Sequence, residues 1–241
     1  PSLATPKLAT GLTSVSDKHA GSVAWGDADG NGDQDLLLGS AALVDQGFSS
    51  YLYLNRNGTF SPFNEREFGP SGFGPHAVAF GDIDLDGELE VALGTPTAIQ
   101  IYQEGRFDQI YQQISAPSAI RSLAWGDAND DGQLDLLVGF VSGPARLYLN
   151  DGGRLGSTAF LQTPHEGAAS ALAWGDIDGD YYLDFVVGFE NQPAYVYHNN
   201  GDMTFSLAWS SPVSMPIRAL ALGDYDADHD LDLVIGNGAG A

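Results

Sequence analysis

The chain of 241 residues carries 32 Asp and Glu residues against 9 Lys and Arg residues, so its formal net charge is -23 at pH 7. With 43% hydrophobic residues and 31 glycines, the composition is that of a folded, turn-rich protein and excludes intrinsic disorder. The negative charge and the scattered bases argue against a nucleic-acid partner. No apolar stretch approaches the roughly 20 residues of a membrane-spanning helix, so we expect no membrane insertion.

One pattern of seventeen residues recurs five times, beginning at Val23, Val78, Leu123, Leu172 and Leu220. The first acidic residues of the copies are 55, 45, 49 and 48 residues apart, a spacing typical of four-stranded propeller blades. The sequence therefore predicts a repeat architecture in which each copy belongs to one structural unit.

Each copy begins with a short apolar run that ends in Trp-Gly-Asp, Phe-Gly-Asp or Leu-Gly-Asp, and this run predicts a first strand. After an acidic loop, an apolar run such as Phe185-Val186-Val187 predicts a second strand that is buried on both faces. We expect the large residue before the glycine of the first strand to pack between neighbouring units. In chain order this residue is Trp25, Phe80, Trp125, Trp174 and Leu222.

An alternating run with aromatic residues follows in the first four copies, for example Tyr51-Leu52-Tyr53-Leu54, and predicts a third strand. A turn that contains glycine, such as Asn57-Gly58, then leads into a fourth strand. No segment has a convincing apolar period of 3.6 residues. The sequence therefore predicts an all-β fold.

A single four-stranded sheet cannot bury both of its faces, so the units must pack face to face. A radial arrangement protects most sheet edges, which favours a β-propeller of about five four-stranded blades that forms one domain over residues 1–241. Residues 2–9 resemble a fourth strand, and the sequence ends where the third strand of the last unit should begin. The alternatives are a five-bladed ring or an excerpt of a seven- or eight-bladed ring, and the incomplete terminal blade predicts a homo-oligomer or polymer.

The acidic loop between the first and second strands carries Asp, Asn or Glu at its positions 1, 3, 5 and 9 in all five copies. Short carboxylates at alternate positions of a tight loop can surround one cation, and Ca²⁺ fits best because it accepts six to eight oxygens in irregular geometry. We predict about five Ca²⁺ sites, with the backbone carbonyl of position 7 as a further ligand. The predicted ligand residues are Asp27, Asp29, Asn31, Asp33 and Asp35 in loop 1 (27–35); Asp82, Asp84, Asp86, Glu88 and Glu90 in loop 2 (82–90); Asp127, Asn129, Asp131, Gln133 and Asp135 in loop 3 (127–135); Asp176, Asp178, Asp180, Tyr182 and Asp184 in loop 4 (176–184); and Asp224, Asp226, Asp228, Asp230 and Asp232 in loop 5 (224–232).

These loops differ from EF-hands, which place a bidentate Glu at position 12. Here position 12 lies inside an apolar strand, so the bidentate role falls to position 9. Position 6 is glycine in loops 1 to 3 but Tyr181 in loop 4 and His229 in loop 5, where a left-handed turn costs more. We expect these two sites, and the site with Glu90, to bind Ca²⁺ more weakly.

With this repeated loop the chain resembles the FG-GAP and VCBS repeat families. Phe80-Gly81-Asp82 and Gly94-Thr95-Pro96 match the FG and GAP ends of the motif, and Trp-Gly replaces Phe-Gly in three other copies. The resemblance implies calcium-binding propeller blades like those of integrin alpha-chain heads and many bacterial surface proteins. These families include adhesins, lectins, lyase domains and accessory modules of enzymes, so the resemblance implies the fold and the metal more narrowly than the function.

Five equivalent positions lie four residues before the Trp, Phe or Leu of each first strand. If the first strands are innermost, these positions surround one end of a central channel. They predict a candidate site for a small polar or anionic ligand, such as a sugar acid, at His76, Arg121 and Arg218; the alternative is ordinary solvent-exposed loop chemistry. The five residues are Gly21, His76, Arg121, Ser170 and Arg218.

The sequence contains no nucleophile elbow, phosphate loop or zinc signature, so we expect that the chain is not an enzyme. The favoured function is a secreted, extracellular module for structure or cell adhesion, with a protein or glycan partner at the cell surface. The alternative is a carbohydrate-binding lectin or a polysaccharide-degrading propeller. It would use outer-strand tyrosines for sugar stacking, or two of the glutamates outside the loops for hydrolysis. Those glutamates are Glu65, Glu67, Glu104, Glu166 and Glu190.

Overall fold

The computed structural model of the chain describes residues 20–40, 50–69, 77–103, 106 and 109–238. Within these ranges all regular secondary structure is β-strand, which confirms the predicted all-β fold. The same ranges hold no helix that is long and apolar enough to cross a membrane. The strands are β1 (Ala20–Gly26), β2 (Asp35–Ser40), β3 (Ser50–Arg56), β4 (Thr59–Phe68), β5 (Ala77–Gly81), β6 (Glu90–Gly94), β7 (Ala98–Tyr102), β8 (Gln112–Ser115), β9 (Ile120–Gly126), β10 (Asp135–Phe140), β11 (Pro144–Tyr148), β12 (Leu161–Glu166), β13 (Ala169–Gly175), β14 (Asp184–Gln192), β15 (Ala194–Asn199), β16 (Phe205–Ser210), β17 (Met215–Gly223) and β18 (Asp232–Asn237).

Consecutive strands pair antiparallel in the order of the chain and form four sheets among the described residues. Strands β1 to β4, β5 to β8, β9 to β12 and β13 to β16 are four-stranded units, which we call units 1 to 4. Strands β17 and β18 form unit 5, and β17 also pairs with the end of β14 at Glu190 and Gln192. The predicted four-stranded organisation is confirmed in units 1 to 4. Unit 5 has two strands within the described ranges.

In units 1 to 4 the second strand lies at the centre of the hydrophobic core. Successive side chains of a strand point to opposite faces, so one strand contributes to two layers of packing. In β10, Leu136 and Val138 pack with residues of unit 2, whereas Leu137 packs with residues of unit 4. Every residue of β6 and of β10 is buried. The prediction of a second strand buried on both faces is therefore confirmed in units 1 to 4. It is wrong for β18 of unit 5, whose residues are exposed or half-buried because no further unit packs on it within the described ranges.

A large side chain from each first strand packs on the glycine of the preceding unit. A β-carbon added to Gly126 would lie 2.7 Å from the ring of Trp174, so only glycine permits this approach. The indole Nε1 of Trp174 also donates to the carbonyl of Ala124 at 3.2 Å. The expected packing between units is confirmed for four of the five residues, which occupy the pairs Phe80 on Gly26, Trp125 on Gly81, Trp174 on Gly126 and Leu222 on Gly175.

The same expectation is wrong for Trp25, which is 56% exposed. Its ring contacts Phe60 of its own unit, at 6.1 Å between centroids. At the opposite end, an added β-carbon on Gly223 would meet no atom within 4 Å. The described array therefore presents an uncovered aromatic residue at unit 1 and an uncovered glycine at unit 5.

Candidate functional site

The pairing of first and second strands closes each acidic loop. In every unit the glycine before position 1 pairs with the residue at position 9, so both ends of the loop lie on one rung of the ladder. The five pairs are Gly26 with Asp35, Gly81 with Glu90, Gly126 with Asp135, Gly175 with Asp184 and Gly223 with Asp232.

Within the loops, carboxylates accept hydrogen bonds from the loop backbone in a repeated pattern. In loop 3, Asp127 accepts the backbone N–H groups of Asp131 at 3.1 Å and Gly132 at 2.8 Å. Asp131 then accepts the backbone N–H of Gln133 at 2.8 Å. The equivalent bonds from positions 6 and 7 recur in the other four loops. These bonds hold the side chains at positions 1 and 5 on the inner side of the turn.

The carboxylate at position 9 is buried in the first four loops. Asp35, Glu90, Asp135 and Asp184 are at most 2% exposed, and each accepts a hydrogen bond from the backbone N–H of position 2 in its own loop. Asp232 of loop 5 makes the same bond with Tyr225 at 2.8 Å but stays exposed. Position 9 is thus anchored in all five loops, although only four of these carboxylates are sealed from solvent.

Acidic side chains converge in four of the five loops. Loop 3 differs because position 3 is Asn129, whose side-chain amide donates to Asp131 at 2.8 Å. In each of the following groups, one ligand atom per residue lies within 4.8 Å of the others: Asp27, Asp29 and Asp35; Asp82, Asp84 and Asp86; Asp176, Asp178 and Asp180; and Asp224, Asp226 and Asp232.

Burial and mutual repulsion both favour protonation of these carboxylates. Burial raises the pKa of Glu90 to about 7, and the negative charges of Asp84, Asp86 and Asp82 add to the effect. Burial also raises the pKa of Asp135 to about 6, with smaller contributions from Asp131 and Asp127. Burial raises the pKa of Asp35, Asp84 and Asp184 in the same direction. A cation beside these groups would favour their charged forms.

Some loop oxygens have no protein partner. Oδ1 of Asp29, Oδ1 of Asp82 and Oδ1 of Asp84 are buried and lack a hydrogen-bond partner. A buried carboxylate oxygen without a partner is costly, and a bound cation would satisfy it. The surrounding donors are oxygens, which suit a hard cation such as Ca²⁺ better than a thiophilic metal. The residues present therefore fit Ca²⁺.

Among the described residues, two bases on third strands reach loop carboxylates, and the spacing of the acidic motif indicates neither of them. Arg56, at the end of β3, places Nη2 at 2.7 Å from Oδ2 of Asp29. His198, in β15, places Nδ1 at 3.0 Å from Asp178 and at 3.2 Å from Asp184. Arg56 supplies part of the counter-charge that loop 1 requires, and His198 brings a ring nitrogen within hydrogen-bond distance of two carboxylates of loop 4.

An asparagine at the end of the third strand is a further loop partner that the acidic motif does not indicate. The backbone N–H groups of Asn55, Asn150 and Asn199 donate to the position 9 carboxylates of their own units at 2.7 to 2.8 Å. A recurrent Tyr-x-Asn pattern, in which the tyrosine is residue 53, 148 or 197, is the signal that the sequence offers. That signal lies outside the acidic loop, so the spacing of carboxylates does not lead to it.

A cavity of about 370 Å³ is lined by residues of units 1, 3, 4 and 5. Nη1 of Arg121 lies 3.2 Å from one carboxylate oxygen of Glu190, and Nη2 of Arg218 lies 2.5 Å from the other. Two candidate ligand residues thus lie on one cavity, whereas His76 lies outside the described residues. The lining residues are Gly21, Arg121, Val141, Ser170 and Arg218.

The structure describes the surroundings of three outer-strand tyrosines and of Glu190, which are among the residues considered for carbohydrate chemistry. Tyr53, Tyr148 and Tyr197 are at most 3% exposed, so they pack in the core and offer no face to a sugar. Glu190 is held between Arg121 and Arg218, so both of its carboxylate oxygens are engaged in ion pairs.

Comparisons with known proteins support the repeat architecture that the sequence predicts. A family model described as an FG-GAP-like repeat matches residues 42–93, 127–187 and 176–235, which together exceed half of the chain and confirm the resemblance. No curated protein sequence matches the chain.

Among solved structures, the V. cholerae biofilm matrix protein Bap1 aligns with 90% of this chain at 19% sequence identity and a TM-score of 0.58. The chain spans 35% of the length of that protein. The computationally designed Ika4 protein aligns with 66% of this chain and with 89% of its own length, at 16% identity and a TM-score of 0.46. At 19% identity, the alignment with Bap1 supports a common fold.

Proposed function

Since the chain belongs to the FG-GAP-like repeat family, we propose that it is an extracellular, calcium-binding β-propeller module with a structural or adhesive role and no catalytic activity. The carrying observation is the repeated acidic loop, whose carboxylates converge in four of the five copies and include buried, unpartnered oxygens in loops 1 and 2. Positions 1, 3, 5 and 9 of each loop would hold Ca²⁺ through side-chain oxygens, and position 7 would add its carbonyl. Bound Ca²⁺ would supply two positive charges to each loop.

The propeller arrangement is supported by the packing of the first strands. β1 packs against β5, β5 against β9, β9 against β13 and β13 against β17. Equivalent positions from units 1, 3, 4 and 5 line a single cavity, as expected if the units radiate from one axis with their first strands innermost. On this arrangement the five loops lie at the same end of the axis.

Thermal unfolding with and without Ca²⁺ tests the metal proposal. A ligand at about 100 times its Kd stabilises the folded state by about 2.7 kcal/mol for each site, so several sites predict a Tm rise of more than about 10 °C over the protein in chelator. Calorimetric titration should give about five sites in the wild type and one fewer in Asp127→Asn. The matched control Asp151→Asn removes an exposed charge outside the loops and should leave the count unchanged. Equal melting in Ca²⁺ and in chelator would contradict the proposal.

The extracellular location is supported by the same chemistry. Millimolar Ca²⁺ outside cells fills sites of modest affinity, and the family includes many surface proteins. A protein or glycan at the cell surface is the proposed partner class. The likeness to a biofilm matrix protein is compatible with this location.

We also propose self-association through the two ends of the array. Trp25 is 56% exposed at unit 1, and Gly223 at unit 5 has open space where Gly126 receives Trp174. A second copy of the chain offers the matching tryptophan for this open glycine, and Val234 at 61% exposure adds apolar surface beside it. The contact joins unlike surfaces, so it extends head to tail.

A second candidate function is recognition of an acidic carbohydrate at the cavity of Arg121 and Arg218. Two guanidinium groups face one carboxylate, Glu190, which leaves the described cluster with a net positive charge in a strongly acidic protein. Their remaining N–H groups can donate to a ligand carboxylate. The sequence places His76 at an equivalent position, so it belongs to the same proposal.

A glycan array with matched turnover assays tests this second function. Uronate-containing glycans should bind and neutral ones should not, without the formation of cleaved product. Arg121→Gln and Arg218→Gln should each weaken binding by about tenfold or more, because a charged hydrogen bond is lost. Arg66→Gln, which alters an exposed arginine of β4, should bind like the wild type. Equal binding by all four proteins, or no binding to any acidic glycan, would reject the site.

A further inference from the structure

One asparagine contacts two acidic loops at once. Asn199, at the end of β15, is 1% exposed. Its backbone N–H donates to the position 9 carboxylate of loop 4, Asp184, at 2.8 Å. Its side-chain Nδ2 donates to the carbonyl of Ala128 in loop 3, also at 2.8 Å. The two loops belong to neighbouring units and are therefore joined through this single buried residue.

The preceding unit repeats the arrangement. Asn150 is 3% exposed, and its backbone N–H donates to Asp135 of loop 3 at 2.8 Å. Its Nδ2 donates to the carbonyl of Ile83 in loop 2 at 2.7 Å. Because the same contact occurs in two units, it is a repeated feature of the fold and not a peculiarity of unit 4.

These contacts join into one continuous chain of hydrogen bonds. The N–H of Ala128 donates to Asp135, the same carboxylate that accepts from the backbone of Asn150. In loop 2, the N–H of Ile83 donates to Glu90 at 3.0 Å. The chain therefore connects the position 9 carboxylates of loops 2, 3 and 4, which are Glu90, Asp135 and Asp184.

The carbonyl that accepts from Asn199 lies where metal binding would order the backbone of loop 3. Ala128 lies between Asp127 and Asn129, which stand at positions 1 and 3 of loop 3. A cation that orders these two residues also fixes the carbonyl between them, and this carbonyl holds the side chain of Asn199. Hydrogen bonds in a buried environment transmit such ordering strongly, because water does not compete for the donors and acceptors.

We propose that Asn150 and Asn199 are positioning residues that make cation binding at loops 2, 3 and 4 cooperative. The inference rests on the proposed binding of Ca²⁺ by the loops. An ion in loop 3 orders the carbonyl that Asn199 holds, so loop 4 loses less conformational entropy when it binds its own ion. Coupling of this kind is reciprocal, so an ion in loop 4 favours loop 3 equally.

The chain of hydrogen bonds also predicts where the coupling stops. At the equivalent position of unit 2 stands Glu104, which lies outside the described residues and whose carboxylate has no N–H to donate towards loop 1. Asn55 of unit 1 donates from Nδ2 to Gln34 of its own loop at 3.1 Å. Loop 1 should therefore bind its ion independently of loops 2 to 4.

Hydrogen exchange read by mass spectrometry tests the proposal on the full chain, because it reports the Ca²⁺ concentration at which each loop becomes protected. Asp127→Asn impairs loop 3 and, with Asn199 present, should shift the midpoint of loop 4 to a Ca²⁺ concentration about fivefold higher or more. In the Asn199→Leu background, the same Asp127→Asn change should shift loop 4 less than about twofold. Asn199→Leu retains the backbone bond to Asp184. It removes the side-chain bond to Ala128 of loop 3, and also the weaker bond to the carbonyl of Leu183 in loop 4 and the bond from the N–H of Gly201.

Asn55→Leu is the matched control. Asn55 occupies the same strand position, but its side-chain Nδ2 donates to Gln34 of its own unit and not to a neighbouring unit. In that background, Asp127→Asn should still shift loop 4 by the full amount. Equal shifts with Asn199 present and in the Asn199→Leu background, or no shift with Asn199 present, would overturn the coupling while leaving Ca²⁺ binding intact. Loss of all Ca²⁺-dependent protection in the wild type would instead overturn the proposed calcium function, and the coupling with it. Circular dichroism in saturating Ca²⁺ verifies that each variant folds.

Discussion

Position 6 of each acidic loop has a left-handed backbone. Its φ is 88° at Gly32, 91° at Gly87 and 84° at Gly132, and it is 75° at Tyr181 and 78° at His229. For a residue with a β-carbon this conformation costs roughly 1 to 2 kcal/mol, whereas glycine adopts it freely. At position 6, loops 4 and 5 therefore hold strain that the other three loops lack, whereas at position 4 the left-handed residues with a β-carbon are Leu85 in loop 2, Asp130 in loop 3 and Ala227 in loop 5.

We predict that Tyr181→Gly stabilises the Ca²⁺-saturated protein by about 1 kcal/mol, since Tyr181 is 90% exposed and little packing is lost. Thermal or chemical unfolding measures the change. The control Tyr181→Ala removes the ring but keeps the β-carbon, so it should give no comparable gain. A gain of the same size in both variants would show that the exposed ring, and not the backbone, is responsible.

The sequence was sufficient to predict the loop carboxylates and insufficient to predict their partners. Asp127, Asp131 and Asp135 follow from local spacing, because a nine-residue loop must bring its alternate side chains together. The bond from Asn199 to Ala128 spans 71 residues and depends on which unit lies beside which. Spacing within one repeat carries no such information.

Among the elements, the contact between a first strand and the preceding glycine is the repeated junction of the fold. The glycines occupy the same place in every motif, but their surroundings differ at the end of the array. Gly126 supports the ring of Trp174, whereas Gly223 has nothing within 4 Å of an added β-carbon. The same local sequence therefore occurs both at a packed junction, at Gly126, and at an open one, at Gly223.

We predict that Gly126→Ala destabilises the protein by about 1 to 3 kcal/mol, because the added methyl group displaces a packed indole. Gly223→Ala is the matched control and should change the stability little. Denaturant unfolding of both variants in Ca²⁺ measures the difference. Similar losses in the two variants would mean that the glycine is required by the strand itself and not by the neighbouring unit.

The strands themselves were largely predictable from composition. Apolar runs such as Leu136-Leu137-Val138 cannot be solvated on either face, so they indicate central strands. The pairing of β14 with β17 was not predictable, because it joins the extended end of one unit to the next at Glu190 and Gln192. These polar residues have no apolar pattern that would indicate a strand.

For the whole molecule, the net charge is concentrated in the loops. Positions 1, 3, 5 and 9 hold 18 of the 32 acidic residues. Five bound Ca²⁺ ions would change the formal charge from -23 to -13. Electrostatic self-repulsion between chains would fall accordingly, so Ca²⁺ should favour the proposed association of copies.

We predict that the mass of the Ca²⁺-bound protein in sedimentation experiments rises with concentration, as the open ends meet. Trp25→Ala removes the aromatic residue that would cover Gly223 and should keep the protein monomeric. Trp209→Ala is the matched control, because Trp209 is an exposed tryptophan at 45% on β16, away from both first strands. A monomer at all concentrations, or equal association of both variants, would contradict the head-to-tail contact.

The junctions between a glycine and a large side chain all have the same direction along the chain. In each pair the glycine belongs to the earlier unit and the large side chain to the later one, from Gly26 and Phe80 to Gly175 and Leu222. During synthesis, the surface that receives each unit therefore leaves the ribosome before the unit that packs on it. Each folded unit can serve as a template for the next, so the direction of translation and the direction of packing coincide.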